Sequence, residues 1–316
     1  MFKPLVIDGH CDSIGDFIRE KRTLRVGTEG GHWDIERARA GGMALQIMAC
    51  FIESEFKPHS SSRRGLELIQ AAQRFIAENY DRVLWIRNQQ DLSQLPNSDK
   101  LGILLSVEGG EILGESLFML DIIYELGVRA LGLTWNQRNA LADGVGEQTN
   151  SRLTLLGQNV IRRMNELGML IDVSHLNEEG FYHVLELTDV PIVASHSCAH
   201  ALCPHPRNLT DDQLKALAHN HGLVGINFYS RFLTEQGEAS IVHVVQHIAH
   251  IAEVAGVETI GLGSDFDGIE QAPRGLEDAS KYPNLAEALL QAGFHEGEID
   301  QIFNKNFRRL LGDVIK

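Results

Sequence analysis

The chain is expected to fold as one (β/α)8 barrel. Eight short apolar runs recur along its 316 residues. Nearly all are separated by segments with apolar residues at helical spacing. Such alternation implies parallel βαβ units, and eight of them fit a closed barrel. No Gly-x-Gly-x-x-Gly follows any run, so the dinucleotide reason for an open doubly wound sheet is missing. No linker or compositional break interrupts the pattern, and residues 1–316 read as a single domain.

The first run, Leu5-Val-Ile-Asp-Gly-His-Cys-Asp12, is apolar, β-branched and interrupted by Gly, a buried-strand signal. Side chains i and i+2 share one side of a strand, so His10 and Asp12 lie together at its end. Residues 19–34 are polar with weak periodicity and read as a long loop. Met43–Phe51 is the second strand. Arg64–Tyr80 places Leu66, Ile69, Ala72, Phe75 and Ile76 on one helical face. Leu101–Val107 is the third strand and runs into Glu108-Gly109-Gly110. A helix follows near Leu117–Leu126, then a fourth strand, Val128–Thr134, ending in Trp135-Asn136. Residues 137–151 form a polar, Gly-rich loop long enough to cover a site.

Leu155–Leu167 is helical, Met169–Ser174 is the fifth strand and His175 ends it. Glu178–Leu187 is helical, and Pro191–Ser195 is the sixth strand, ending in His196. Ser197–Asn208 reads as another long loop. Thr210 is placed to cap a helix over Asp211–His219. Leu223–Phe228 is the seventh strand and Ile241–Ala255 a helix. Thr259–Gly263 is the eighth strand, followed by Ser264-Asp-Phe-Asp-Gly268. Asn284–Leu311 reads as two helices.

Composition narrows the function. Apolar residues are 43% and charged residues 22%, ordinary for a soluble globular protein. A net charge of −15 argues against nucleic acid or an anionic membrane surface as partner. No apolar run reaches the ~18–20 residues that span a bilayer. The first strand begins almost at once, so no signal peptide is expected. Cys11, Cys50, Cys198 and Cys203 form no Cys-x-x-Cys pair and read as reduced thiols in a cytoplasmic protein.

The informative pattern is where ligand-type residues fall. His10 and Asp12, Glu108, His175, His196 and Asp265 end strands one, three, five, six and eight. In a barrel those ends converge on one mouth, where active sites lie. Three histidines and up to three carboxylates are too many for one tetrahedral zinc. They suit two metals ~3.5–4 Å apart that share a bridging carboxylate. Glu108, between the two groups in chain order, is the natural bridge.

Other residues read as structural. His243, His247 and His250 share a helix face that should lie outside the barrel. His200 and His205 read as loop hydrogen bonders, and His219 and His221 as helix caps. Cys11 and Cys198 pack as small apolar groups. Asp267 is a candidate support for the site, and Asp-Phe-Asp-Gly is too short for a calcium loop.

The sequence resembles the membrane (renal) dipeptidase family of amidohydrolase-like metal-dependent hydrolases. The resemblance runs from Asp8-Gly-His-Cys-Asp12 through Ser106-Val-Glu-Gly-Gly110, Asp172-Val-Ser-His175, Ser195-His-Ser197, Arg207-Asn208 and Asn227-Phe-Tyr229. It continues through Gly263-Ser-Asp-Phe-Asp-Gly268 and Gly275-Leu-Glu-Asp278 to Lys281-Tyr-Pro283, essentially the whole chain. It implies a dipeptidase with two Zn2+ ions per chain, one on His10 and Asp12, one on His175 and His196, bridged by Glu108. Asp265 matches the family's acid/base carboxylate. Arg207 matches a substrate-binding arginine, whose fork suits a free α-carboxylate. Tyr229 lies beside the pocket in the family pattern. Animal members carry a His after the fourth strand that polarises the scissile carbonyl, where this chain has Trp135. Asn136, Arg138 and a zinc are the candidates for that role. Animal members are lipid-anchored outside the cell, and this chain looks like a bacterial-type cytoplasmic relative. Family analogy implies a homodimer.

Two other readings stand beside this one. Another binuclear amidohydrolase would act on lactones, esters or cyclic amides, but such barrels often bridge their metals with a lysine, and no strand end here carries Lys. A non-catalytic metal or ligand binder would not need the full set of ligands plus Asp265 that this chain retains.

Overall fold

The structure is a computed structural model and describes residues 4–25, 30–95 and 98–316. Positions 26–29 of the expected 19–34 loop lie outside the described residues. Among the described residues, nine parallel strands run in chain order as β1 (Val6–Cys11), β2 (Met43–Phe51), β3 (Val83–Trp85), β4 (Leu101–Glu108), β5 (Val128–Gly132), β6 (Leu170–Asp172), β7 (Val193–Ser197), β8 (Leu223–Ile226) and β9 (Ile260–Leu262). Neighbours pair in the order β2-β1-β9-β8-β7-β6-β5-β4, and β2 pairs β4 to close the ring. Eight of the strands therefore form the expected (β/α)8 barrel, with helices outside.

The ninth strand, β3, was not expected. It pairs only with the start of β4, Val83 with Leu101 and Trp85 with Ile103. β5 takes the same edge of β4 from Leu105 onward. Two short strands thus share one edge end to end, and neither leaves it unpaired.

Helix caps fix where the connections turn. Thr210 accepts from Gln213 N–H and the Gln213 side chain accepts from Thr210 N–H, a capping box that starts the helix Asp211–His219. Asp34, Asn88, Thr154 and Asn177 cap Ile35–Ala40, Gln89–Gln94, Leu155–Leu167 and Glu178–Leu187 in the same way with one bond each. The tail carries Tyr282–Gln291, then a continuous helical run from Glu296 to Val314 that loosens into a π turn over Gln301–Lys305.

Inside the barrel the side chains form layers. Ile7, Leu45, Leu104, Ala130, Leu170, Val193 and Leu223, one from each of seven barrel strands, form a single apolar cluster. Phe307, Leu310, Leu311, Val314 and Ile315 of the C-terminal helix and its last turn join them. The ring of Phe307 lies where a Cβ on Gly9 or Gly261 would stand, at 2.5 Å from each ideal position. This helix closes the N-terminal end of the barrel. Two residues up, alternation places Ser106, Gly132, Asp172, Ser195, Gly225 and Gly263 inward. Glycines are required at 225 and 263, because a Cβ on either would strike the Ser195 carbonyl. One layer higher stand the ligand-type residues.

Candidate active site

β1 delivers His10 by breaking its own alternation. Ile7 faces the floor cluster, so strict alternation would turn Gly9 and Cys11 inward and His10 away. The register shifts between Asp8 and Cys11 re-aim His10 toward the barrel axis, as bulges at barrel rims do. Asp8 holds the shifted segment. Its buried carboxylate accepts from His10 N–H at 2.9 Å, from Ser264 N–H at 3.2 Å, and from the Tyr282 hydroxyl. Glu108 needs no such device, being two inward steps beyond Leu104 on β4.

Glu108 sits at the middle of the mouth, 6% exposed, and its two oxygens face two different groups. Oε1 lies 2.8 Å from His175 Nε2 and 3.5 Å from His196 Nε2. Oε2 lies 3.5 Å from His10 Nε2, which is 3.4 Å from Asp12 Oδ2. Ligand-type atoms of Glu108, His175 and His196 lie within 4.8 Å of one another, as do those of His10, Asp12 and Asp265. His175 and Asp265 both adopt left-handed backbone, at φ 65° and 63°. Such turns at strand ends aim side chains into a mouth and are uncommon outside glycine.

The outward nitrogens of these rings decide what the inward ones can do. His175 Nδ1 lies 2.7 Å from Asn136 Oδ1, an acceptor, so it carries the proton and leaves Nε2 with a lone pair. His196 Nδ1 lies 2.8 Å from Ser195 Oγ, whose own proton goes to Asp172 Oδ2 at 2.5 Å. His196 Nε2 is therefore also bare. The two Nε2 atoms stand 2.9 Å apart against a carboxylate oxygen. Lone pairs meeting lone pairs repel unless a cation lies between them, so this donor set fits a metal. His10 Nε2 and Asp12 Oδ1 are buried without a hydrogen-bond partner, which fits a second one.

Electrostatics agree. Burial lowers His10, but Glu108 and Asp12 outweigh it and raise it well above the usual histidine range. That corner of the site favours positive charge. Burial pushes Glu108 up, yet the neighbouring His10 holds it well below the carboxylate range. Burial, then Arg207, pushes His175 well down, and burial and His10 lower His196. Neutral imidazoles are the form that ligates metal. Burial and neighbouring Asp12 raise Asp265 well above the usual carboxylate range, while Asn227 Nδ2 donates to its Oδ2 at 2.9 Å.

The cavity above these groups has a volume of about 500 Å3. Arg207, Tyr229, Trp135 and Asn136 line it with Asp12, Glu108, His175, His196 and Asp265. Arg207 is buried. It donates from Nη2 to the His196 carbonyl at 2.9 Å and from Nη1 to Ser197 Oγ at 3.3 Å, and its buried Nε has no partner. Burial lowers its pKa. Burial and a hydrogen bond with Glu270 push Tyr229 up to about 12, so its hydroxyl keeps its proton. Trp135 packs between Phe51 and His175, with ring centroids 5.3 and 5.9 Å away, and Lys57 Nζ lies 5.1 Å over its ring.

Residues outside this group find local partners. Asp267 accepts from Ser13, His32 N–H and Arg22, and so ties the loop after β9 to the first loop. Arg138 is engaged by Asp143, away from the cavity lining. His243 receives Ser240 N–H, His250 pairs with Asp211, and His247 joins Ala199 N–H to the Leu233 carbonyl. His205 lines the cavity and its Nδ1 accepts Arg207 N–H. All four cysteines are buried and free. Sequence reasoning missed Asp172 and Ser195 as parts of the site. Ser195 stands inside β7 and Asp172 closes β6 three residues before His175, and their signal was the inward step of two from Leu170 and Val193.

A closed parallel barrel with a carboxylate–imidazole centre at its mouth is the architecture of a metal-dependent hydrolase. The chain belongs to the membrane dipeptidase family, peptidase family M19, whose sequence pattern matches residues 1–316. It is 32% identical to the dipeptidase tcpJ of Claviceps purpurea over 97% of this chain and 76% of that one. The crystal structure of the dipeptidase AC, a metallopeptidase of family M19, superposes with a TM-score of 0.93 at 29% identity, covering 99% of each chain. A metallopeptidase from Rhodobacter sphaeroides, liganded with a phosphinate mimic of the dipeptide L-Ala-D-Ala, also gives 0.93, at 28% identity over 99% of this chain and all of that one. The protein is thus a hydrolytic enzyme of the M19 dipeptidases. Among the described residues, no helix is long and apolar enough to cross a membrane.

Proposed function

We propose that the protein is a binuclear zinc dipeptidase that hydrolyses free L-Xaa-L-Xaa and L-Xaa-D-Xaa dipeptides. The observation that carries this reading is the two-sided Glu108, with the His175 and His196 nitrogens at Oε1 and His10 at Oε2. In this reading His10 and Asp12 hold one Zn2+, His175 and His196 the other, and Glu108 bridges them. When bound, the pair lowers the pKa of a water toward 7 and polarises the scissile carbonyl.

The chain's own residues do the rest. Asp265, raised by burial, takes the proton of the attacking water and hands it to the leaving amine. Arg207, which lines the cavity, holds the substrate's C-terminal carboxylate. A buried cation that holds the C-terminal carboxylate within a cavity of about 500 Å3 limits substrates to very short peptides. Asn136 has its oxygen on His175, which leaves its amide N–H groups for the developing oxyanion. Tyr229 offers a protonated hydroxyl to the bound peptide. A tetrahedral phosphinate mimic bound by the Rhodobacter sphaeroides relative supports attack by water on an L,D-dipeptide here. Four free cysteines support a cytoplasmic setting.

The test is a panel of free L–L and L–D dipeptides, each beside its C-terminal amide, with zinc counted per chain. Two zincs and cleavage of the free dipeptides alone are expected. Two zincs with no member cleaved would overturn the dipeptidase reading and move attention to esters, lactones and cyclic amides.

A further inference from the structure

We propose that Ser195 and Asp172 are positioning residues that set the tautomer of His196, and orient His10, from below the site. This rests on the metal reading of those two histidines. The Ser195 hydroxyl donates to Asp172 Oδ2 at 2.5 Å. Its lone pairs then face His196 Nδ1 at 2.8 Å and His10 Nδ1 at 3.4 Å. A hydroxyl has one proton and two lone pairs, so this set of three partners uses it fully. Ser174 Oγ, at 3.4 Å, accepts His196 N–H instead. Ligand-type atoms of His10, Asp172 and His196 also lie within 4.8 Å of one another, and Ser195 Oγ touches all three side chains. That grouping is organised by a hydroxyl rather than by a further metal.

The direction of the proton is the point. Asp172 Oδ1 is occupied by Ser174 N–H at 2.9 Å and Ser195 N–H at 3.0 Å. Only Oδ2 is left for Ser195, and a carboxylate oxygen can only accept. Ser195 must therefore donate downward and accept from the imidazoles above, which leaves His196 Nε2 bare toward the mouth. His10 and His196 belong to different halves of the centre, so one hydroxyl serves both.

This yields an unusual mutational signature. In Asp172→Asn the amide oxygen must stay on the two backbone N–H groups, which turns the NH2 toward Ser195. The serine then accepts from below and donates upward. His196 is driven to carry its proton on Nε2, where metal should bind. The isosteric variant should therefore weaken zinc at least as much as Ser195→Ala, which merely leaves the tautomer unspecified. A loss of roughly 10–100-fold in zinc affinity is the scale for ligand-orienting partners. The double variant Ser195→Ala/Asp172→Asn should be no worse than Asp172→Asn alone, since no hydroxyl remains to impose the wrong tautomer. Ser195→Thr, which keeps the hydroxyl, should stay within a few-fold of the unaltered chain.

The experiment pairs zinc dissociation constants with histidine ring 15N shifts in the metal-free protein. The shifts report the tautomer directly and need no metal, so failure of the metal reading and failure of this one are distinguishable. The expected result is His196 Nδ1–H in the unaltered chain and Nε2–H in Asp172→Asn. An unchanged tautomer in Asp172→Asn, or losses in zinc affinity that multiply in the double variant, would overturn the proposal. If Ser195→Ala does not fold, Asp172→Asn and Ser195→Thr decide it by the same two readouts.

Discussion

The two ends of the barrel are built on opposite principles. The floor is one all-apolar cluster, built mainly of inward strand residues and the C-terminal helix with its last turn. The mouth crowds four carboxylates and three imidazoles of β1, β4, β6, β7 and the turns beyond strand ends into a few ångströms. The floor is stabilising in itself: its side chains leave water and meet only each other. The mouth is the reverse, since groups with raised and lowered pKa values face one another and bare nitrogens converge. Function occupies the end that the fold pays for. Substitutions should therefore separate cleanly into those that change chemistry and those that change stability.

The sharpest way to break this contrast is Glu108→Gln. It should abolish measurable turnover and lower bound zinc below two per chain by elemental analysis, while the urea midpoint of the metal-free protein holds or rises. Full zinc content would remove Glu108 from the bridge. Asp265→Asn should lower kcat by roughly 10²–10⁴-fold with zinc retained, the usual worth of a general acid–base group. Activity surviving that change would void the proton-transfer role. At the floor, Phe307→Ala should cost about 3–5 kcal/mol of stability, the range for a buried aromatic. Its kcat and KM on remaining folded enzyme should be unchanged, and a kinetic defect there would blur the division between the two ends.

His247 tests the rim. It is buried on an outer helix and carries Ala199 N–H and the Leu233 carbonyl of two mouth loops. Burial, with His250 and His243 nearby, lowers it to about 4. A histidine depressed in the folded state stabilises fully above its unfolded pKa of about 6.5 and loses that contribution as pH falls toward 4, on the order of 3 kcal/mol in all. The drop in urea midpoint between those pH values should be smaller in His247→Asn, and an identical drop would clear His247 of acid sensitivity. Finally, Arg207→Ala should raise KM about 10–100-fold with little change in kcat, from the loss of charge-assisted bonds. Equal KM values would remove Arg207 from the carboxylate site.

Much of this division was legible in the sequence. Apolar runs gave the eight barrel strands because each is buried on both faces, and the residues that ended them were the mouth. β3 escaped notice because three residues, Val83–Trp85, make no period. Short helices such as Ile35–Ala40 escaped because one turn and a half shows no amphipathic face. His-x-Asp was read as simple alternation, whereas the structure reaches the same pairing through shifted register in β1. Asp172 and Ser195 looked like ordinary strand letters, since only three-dimensional pairing of β6 with β7 shows which way a hydroxyl proton goes. Asp267 held out the prospect of supporting the centre directly, and instead it fastens two loops beside it.

The Asp8 carboxylate has a further consequence, for the order of events when the chain is made. Two of its donors, Ser264 and Tyr282, stand 256 and 274 positions downstream. Until both have left the ribosome, an acid meant for a dry interior lacks the groups that satisfy it, and the β1–β9 seam is open. Closure of so distant a pair is slow compared with local helix formation. The proposed half-site of His10 and Asp12 thus takes shape only after residue 282 has emerged, and a nascent chain stalled before it would have nothing to load.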